Sequence, residues 1–242
     1  MKKAIFFLLA FCIMGGLAAQ VSFGPKVGFT LSKYGYNYSS SLEYSEPKVN
    51  FKLGPALGVM MNVQILEFLY FQPSLMYTKK GSGFDVAYRE SGDAVIEGYE
   101  RIRISYLELP LNLAFGLKVG NFKFQLFAGP YFAYAVAGKL KWDYEQNEDG
   151  IRADITGNKK IKFKNEVPED DLANSTSYQR PFDAGINFGI GYKVNSVLIN
   201  LGYAMGFSNL QPEVYGQDSY AGDHKYSNRT IFVSAAWLFD KK

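Results

Sequence analysis

The stretch YLELPLNLAFGLKVGNFKFQLFAGPYFAYAVA, Tyr106 to Ala137, reads as two long strands joined by a tight turn at Lys118-Val119-Gly120-Asn121. In the first strand Leu107, Leu109, Leu111, Leu113, Phe115 and Leu117 share one face, and Glu108, Pro110, Asn112, Ala114 and Gly116 share the other. In the second, Phe122, Phe124, Leu126, Ala128, Pro130, Phe132, Tyr134 and Val136 oppose Lys123, Gln125, Phe127, Gly129, Tyr131, Ala133 and Ala135. A period of two sustained this long belongs to strands and not to a helix. A strand in a soluble sandwich runs about 5–6 residues. These run roughly twice that, near the ~9–11 residues a tilted strand needs to cross a bilayer. The apolar face therefore reads as lipid-facing, and the small and polar face as the inside of a barrel.

The same alternation recurs outward in both directions. Strand segments are expected at Phe23–Tyr34, Asn50–Asn62, Leu69–Thr78, Phe182–Tyr192, Val197–Phe207 and Thr230–Phe239. With the central pair this makes eight strands. Short links follow the second, fourth and sixth; long links follow the odd-numbered ones, the asymmetry of bacterial barrels with tight periplasmic turns and long outer loops. Residues 79–98 are expected as a charged loop whose end continues as strand from Tyr99. Residues 138–180 are expected as the longest loop. Pro55, Pro73, Pro110 and Pro130 stand mid-strand, where proline removes a ladder donor, so bulges or unpaired carbonyls are expected near them. The fold class is all-β: a closed, antiparallel, eight-stranded transmembrane β-barrel.

Residues 1–20 read as a Sec signal peptide: Lys2 and Lys3, an apolar run from Ala4 to Met14, then a small-residue exit through Ala18 and Ala19. Residues 21–242 form the barrel domain. Cys12 lies within the leader, so the processed chain holds no cysteine and no disulfide. Removing Lys2 and Lys3 takes two from the formal net charge of +3, and a near-neutral chain gives no reason to expect nucleic acid. The location implied is the outer membrane of a Gram-negative-type bacterium, with both termini periplasmic and long loops outside.

The barrel parity assigns Lys26, Lys52, Gln72, Glu108, Asn112, Lys123, Gln125, Asp183, Asn187 and Asn200 to the lumen. An eight-stranded barrel is just filled by its side chains, and buried charges must pair or be hydrated. The expectation is an ion-paired plug, with Glu108 held by a lysine; a narrow solute path lined by lysines is the sharper alternative. Leu109, Leu111, Phe124, Phe132, Ile186, Ile199 and Val233 are assigned to lipid. Tyr34, Tyr77, Tyr134, Tyr192, Trp237 and Phe239, near strand ends, are assigned to aromatic girdles. Phe239 near the C-terminus also suits the barrel-assembly machinery.

Catalytic and metal chemistry finds little support. His224 is the single histidine, beside Asp223 and near Ser227, but a Ser-His-Asp site needs groups that converge in space, so a surface loop is the reading. Asp143, Glu145, Asn147 and Asp149 alternate as in calcium loops, yet Glu148 occupies the place that needs glycine. No catalytic residue, metal or cofactor is assigned.

The chain resembles the PorT-like family of outer-membrane β-barrels over nearly all of its mature length. The resemblance rests on Gly24-Pro25-Lys26-Val27-Gly28-Phe29, Phe71-Gln72-Pro73-Ser74-Leu75-Met76-Tyr77, Tyr106-Leu107-Glu108-Leu109-Pro110-Leu111, Ala128-Gly129-Pro130-Tyr131 and the Gly185 to Gly191 repeat. The Tyr-Leu-Glu-aliphatic-Pro element is its most specific part. The resemblance implies an eight-stranded outer-membrane barrel without catalytic residues; the namesake member is tied to a gliding-associated secretion apparatus. The function read here is a non-enzymatic structural or accessory subunit of an envelope assembly, meeting lipid and, through residues 138–180, other envelope proteins. The alternatives are a small passive channel and a soluble periplasmic barrel with its apolar face inward.

Overall fold

The structure, a computed structural model, describes residues 20–38, 48–89, 95–119, 122–148, 151–167, 176–214 and 224–240. The leader (residues 1–19) and Asp223 lie outside these residues. The chain forms β1 (Val21–Tyr38), β2 (Lys48–Leu66), β3 (Leu69–Arg89), β4 (Val95–Val119), β5 (Phe122–Glu148), β6 (Ile151–Phe163), β7 (Glu166–Val167), β8 (Ser177–Gln179), β9 (Phe182–Val194), β10 (Val197–Gly206), β11 (Glu213–Val214), β12 (His224–Trp237) and β13 (Phe239–Asp240). Eight of them close a ring in the order β4-β3-β2-β1-β12-β10-β9-β5, with β5 returning to β4. Every neighbour in the ring is antiparallel. The first and last long strands pair, and β13 adds Phe239 opposite Phe23.

Parity sets the two surfaces. Leu109, Phe124, Phe132, Ile199 and Val233 are 40–49% exposed on the outside of the ring; Leu111 and Ile186 share that face, half covered by neighbours. Residues of opposite parity point inward and are buried. Glycine makes room where lumen side chains crowd the wall: a Cβ on Gly202 would stand 2.5 Å from the Phe232 ring and 2.9 Å from that of Phe127. The connection between β9 and β10 is two residues, with Asn195 at φ 52°, the left-handed conformation that a primed hairpin turn requires and asparagine tolerates.

The strands exceed the membrane at one end. β5 has 27 residues, roughly 90 Å of chain at ~3.4 Å per residue, against a hydrocarbon core of ~30 Å. The surplus of β3, β4 and β5 continues as a sheet beyond the ring, and β6 pairs with Lys139–Glu148 of β5 along its edge. The described residues within 79–98 and 138–163 are thus strand and not the loops expected from sequence. Asp143 and Glu145 alternate because they occupy one face of β5. Here the apolar face, Ile102, Ile104, Leu140 and Trp142, is short and turned inward, while the outer face is charged, so no long lipid-facing run marks the strands.

Two irregularities steer this extension. Ser105 pairs with Ala137 but Tyr106 with Ala135, so β5 carries one extra residue at Val136. Such a bulge re-aims every side chain beyond it. Below it Tyr131, Ala133 and Ala135 point inward; above it Leu140 is buried and Trp142 packs on the same core with Ile104 and Ile161. The second is a shift between Phe51 and Ala56 in β2, at Pro55. Pro73, Pro110 and Pro130 sit in ladders without a register shift.

Candidate functional site, a sealed lumen

The lumen is filled in two zones. In the first, four charges are brought together: Lys26 on β1, Lys80 on β3, Glu108 on β4 and Asp183 on β9. The Lys80 ammonium lies 2.5 Å from Glu108 Oε2 and 3.8 Å from Asp183 Oδ2, with the three side chains at most 9% exposed. Thr78 donates to Glu108 at 3.4 Å. Asp183 Oδ2 also accepts from the Tyr131 hydroxyl at 3.1 Å and from Asn228 at 2.8 Å. Lys80 stands 4.5 Å from the centre of the Tyr131 ring, a cation–π geometry that grows stronger without water. Lys26 is buried on the wall of the same internal cavity as Glu108, Lys80, Asn112 and Asn187. Two positive and two negative groups balance. Desolvating one ion costs several kcal/mol, and only pairing with further hydrogen bonds offsets that.

The cavity measures about 40 Å³, room for a few waters at the ~10–15 Å³ each requires. It is not a path. On the side of the short turns the amides form a further layer: Gln72 donates to Asn62 at 2.9 Å and to Gln125 at 3.0 Å, and Gln125 donates to Asn200 at 3.4 Å. Beyond them a polar vestibule of about 400 Å³ opens, with Lys123 and Lys193 on its wall.

The second zone closes the long-strand end. Gln179, from the short strand β8, enters the lumen; it accepts from the Tyr34 hydroxyl at 2.9 Å and donates to the Tyr106 hydroxyl at 2.9 Å. Leu210, fully buried, packs against Tyr34 and Phe84, with Tyr226 beside them. The backbone of Arg180 donates to Leu210, and that of Leu210 to Tyr226. Two connecting segments are thereby folded into the barrel mouth.

Of the expected lumen residues, Lys26, Gln72, Glu108, Asn112, Gln125, Asp183, Asn187 and Asn200 are buried inside. Lys123 has inward parity but stands at the rim, exposed in the vestibule. Lys52 is a correction: at the register shift of β2 its side chain leaves the lumen and lies 4.4 Å over the Tyr99 ring, on the outer face that carries Asp85, Arg101 and Arg103. Tyr34 is a correction. It is not a girdle residue but a lumen residue, because it shares the parity of Lys26, Thr30 and Ser32 on β1. Tyr134, Trp237 and Phe239 stand on the outer face, Trp237 stacked on Phe239 at 6.3 Å. Tyr192 packs on Phe124 at 5.1 Å, and Tyr77 is half exposed with its hydroxyl donating to Ser105.

Sequence reasoning missed Lys80, Tyr106, Tyr131, Gln179, Leu210 and Asn228 as lumen partners. Lys80 was findable, since Gln72, Ser74, Met76 and Thr78 continue in step to it. Gln179 and Leu210 carried no periodic signal. The backbone of His224 lies in β12 opposite Tyr38. Among the described residues no group of three or more His, Cys, Asp or Glu side chains is placed to hold a metal ion.

A closed antiparallel ring with an apolar exterior and a packed polar interior defines an integral membrane β-barrel. The chain belongs to the outer membrane protein beta-barrel domain family, whose model matches residues 18–211; it is an outer-membrane β-barrel protein. Among solved structures it is similar to Ail, the attachment invasion locus protein of Yersinia pestis, at 12% identity over 91% of this chain and 99% of that one, TM-score 0.37. It is also similar to Neisserial surface protein A at 11% identity over 90% and 99%, TM-score 0.35. A third likeness is to an outer membrane channel from Pseudomonas putida, at 9% identity over 93% and 97%, TM-score 0.29. Comparison with curated protein sequences finds no match.

Proposed function

We propose that this protein is a non-enzymatic, non-conducting outer-membrane barrel that serves as a structural or accessory subunit of an envelope assembly. The observation that carries the reading is the doubly filled lumen, with the Lys80–Glu108–Asp183 cluster in one zone and the Gln179–Leu210 cap in the other. A channel must bind its solute weakly at open sites, whereas here Lys80 is ion-paired with Glu108 and Asp183, and Gln179 is hydrogen-bonded to Tyr34 and Tyr106. The resemblance to the PorT-like family favours an accessory role in secretion. Residues 1–20 act as the export signal, and Phe239 meets the assembly machinery during insertion. The short turns then face the periplasm, and the projecting sheet of β3 to β6 faces outward, where it offers a rigid surface to other envelope proteins.

Planar-bilayer recording of the refolded protein tests the closed lumen. The expected trace is flat at applied voltages of either sign. Steady, reproducible open steps would sink the reading in favour of a small passive channel.

A further inference from the structure

Charge on the projecting sheet is sorted along the strands. Four successive rungs run across the outward face of β4, β5 and β6. Nearest the barrel, Arg103, Lys139 and Lys160 stand side by side; next come Arg101, Lys141 and Asn158. Tyr99, Asp143 and Thr156 follow, and then Glu97, Glu145 and Asp154. All five cations are exposed. Like charges directly opposite across strands destabilise a sheet, so three cations in one rung cost stability unless an anion joins them. The carboxylate rung does not supply it. It stands six residues away, roughly 20 Å at ~3.4 Å per residue, about twice the ~8–10 Å screening length. Among the described residues on this face, the nearer carboxylates are Asp143, one rung from Lys141, and Asp85, which is held by Lys48 at 3.7 Å and by Asn50 at 2.8 Å.

Position identifies the anion. The face carrying the cations is the same face that carries Leu107, Tyr134 and Val136 below, each 48–57% exposed. Val136 to Lys139 is three residues, about 10 Å of strand. At a tilt of ~35–45° this is a rise of roughly 7–8 Å along the membrane normal. The headgroup layer outside the hydrocarbon core is about 5–8 Å thick on each side. The basic rung therefore stands at the depth of lipid phosphates. Beside it opens a polar cleft of about 310 Å³ lined by Tyr99, Arg101, Lys141, Asp143, Thr156 and Asn158. The Arg101 guanidinium is laid over the Tyr99 ring at 5.2 Å. Aromatic, hydroxyl, amide and carboxylate groups in one cleft match the hydroxyl-rich surface of a sugar better than the small headgroup of a phospholipid.

We infer that the outward face of β4, β5 and β6 binds the headgroup of a phosphorylated glycolipid of the outer leaflet, its phosphates on Arg103, Lys139 and Lys160 and its sugar in the Tyr99–Asn158 cleft. This inference rests on the proposed orientation, with the projecting sheet outward, and is independent of whether the lumen conducts.

The test uses full-length processed barrel, refolded in detergent, incubated with lipid A and read by native mass spectrometry. The wild-type protein is expected to retain lipid A. It is expected not to retain enzymatically dephosphorylated lipid A, and inorganic phosphate at equal concentration is expected not to displace the bound lipid. The Arg103→Glu/Lys139→Glu/Lys160→Glu variant is expected to lose retention by about tenfold or more, each cation near a charged membrane surface contributing separately. The Lys139→Arg/Lys160→Arg variant is expected to keep it. Heat-modifiable gel mobility reports that each variant is folded; if the triple variant does not fold, the dephosphorylated lipid and the Lys139→Gln variant decide. Equal retention by a folded charge-reversal variant overturns the inference, as does retention of dephosphorylated lipid A. Displacement by inorganic phosphate would make the ligand a soluble anion, and retention of phosphatidylglycerol but not lipid A would make it the inner leaflet; either result overturns it too.

Discussion

Lys80 is the residue on which the lumen turns. Among the described residues it is the one cation ion-paired with both buried carboxylates, Glu108 and Asp183. Removing one partner of a buried pair leaves an uncompensated charge, at about 3–5 kcal/mol. Lys80→Met is therefore expected to lower the unfolding free energy by that amount, read from urea titration of vesicle-embedded protein by tryptophan fluorescence. Lys80→Met/Glu108→Leu removes one charge of each sign and leaves Lys26 with Asp183, so it is expected to lose less than half as much. Equal losses in the two variants would show that charge balance is not what holds this layer. Glu108 and Asp183 were legible in the sequence because both fall within long alternating runs. Their lysine was missed although Gln72, Ser74, Met76 and Thr78 lead in step to Lys80, because the expected strand ends at Thr78, just before Gly81 and Gly83 break the apolar face. Tyr34 misled for a different reason: residue type suggested a girdle, while parity on β1 already placed it inside. Where type and parity disagree, parity prevails, since a strand cannot turn one side chain across the sheet without a bulge.

At the scale of elements, a long lipid-facing apolar run made strands within the bilayer readable, and its replacement by charge on the outer face hid the strands beyond it. The strands β4 and β5 run across this divide. Leu107, Leu109 and Leu113 announce β4, but beyond the extra residue at Val136 the apolar face of β5 changes sides, from the lipid-facing Tyr134 and Val136 to the inward Leu140 and Trp142, and Lys139, Lys141, Asp143 and Glu145 take the outer face. The extension ends in β6, which pairs with β5 through Lys160 and meets β8 only at Ile161 to Phe163. Among the described pairings, Arg152 to Lys160 thus have a partner strand on one side. Such an edge is a template for strand addition by another chain. A photo-crosslinking amino acid at position 154 or 158, both exposed, is expected to give one discrete adduct with an envelope protein in intact cells, while the same residue at position 57 on the lipid face is not. Failure at both edge positions would remove β6 as the partner surface.

At the scale of the molecule, the lumen is filled by two layers in series, built from different parts of the chain. The charged layer comes from ring strands and is fixed by their register. The cap comes from segments between strands, Gln179 and Leu210, anchored to Tyr34, Tyr106 and the backbone of Tyr226. Only the first was foreseeable, since register follows from alternation, whereas the entry of a connecting segment into a barrel leaves no period. A series arrangement has a consequence for conduction: clearing one obstruction leaves the other. Gln179→Ala/Leu210→Ala/Tyr34→Ala empties the cap but keeps Lys80, Glu108 and Asp183 in place, and is expected to stay silent in planar bilayers. Lys80→Ala/Glu108→Ala/Asp183→Ala clears the charged layer beneath an intact cap, and silence is expected again. With all six substitutions combined, the remaining side chains no longer fill the interior of an eight-stranded ring, and open steps are expected from protein that still shows heat-modifiable mobility. Conduction by the cap variant alone, at the level of the combined variant, would mean that the charged layer is hydrated and permeable, leaving the connecting segments as the sole barrier.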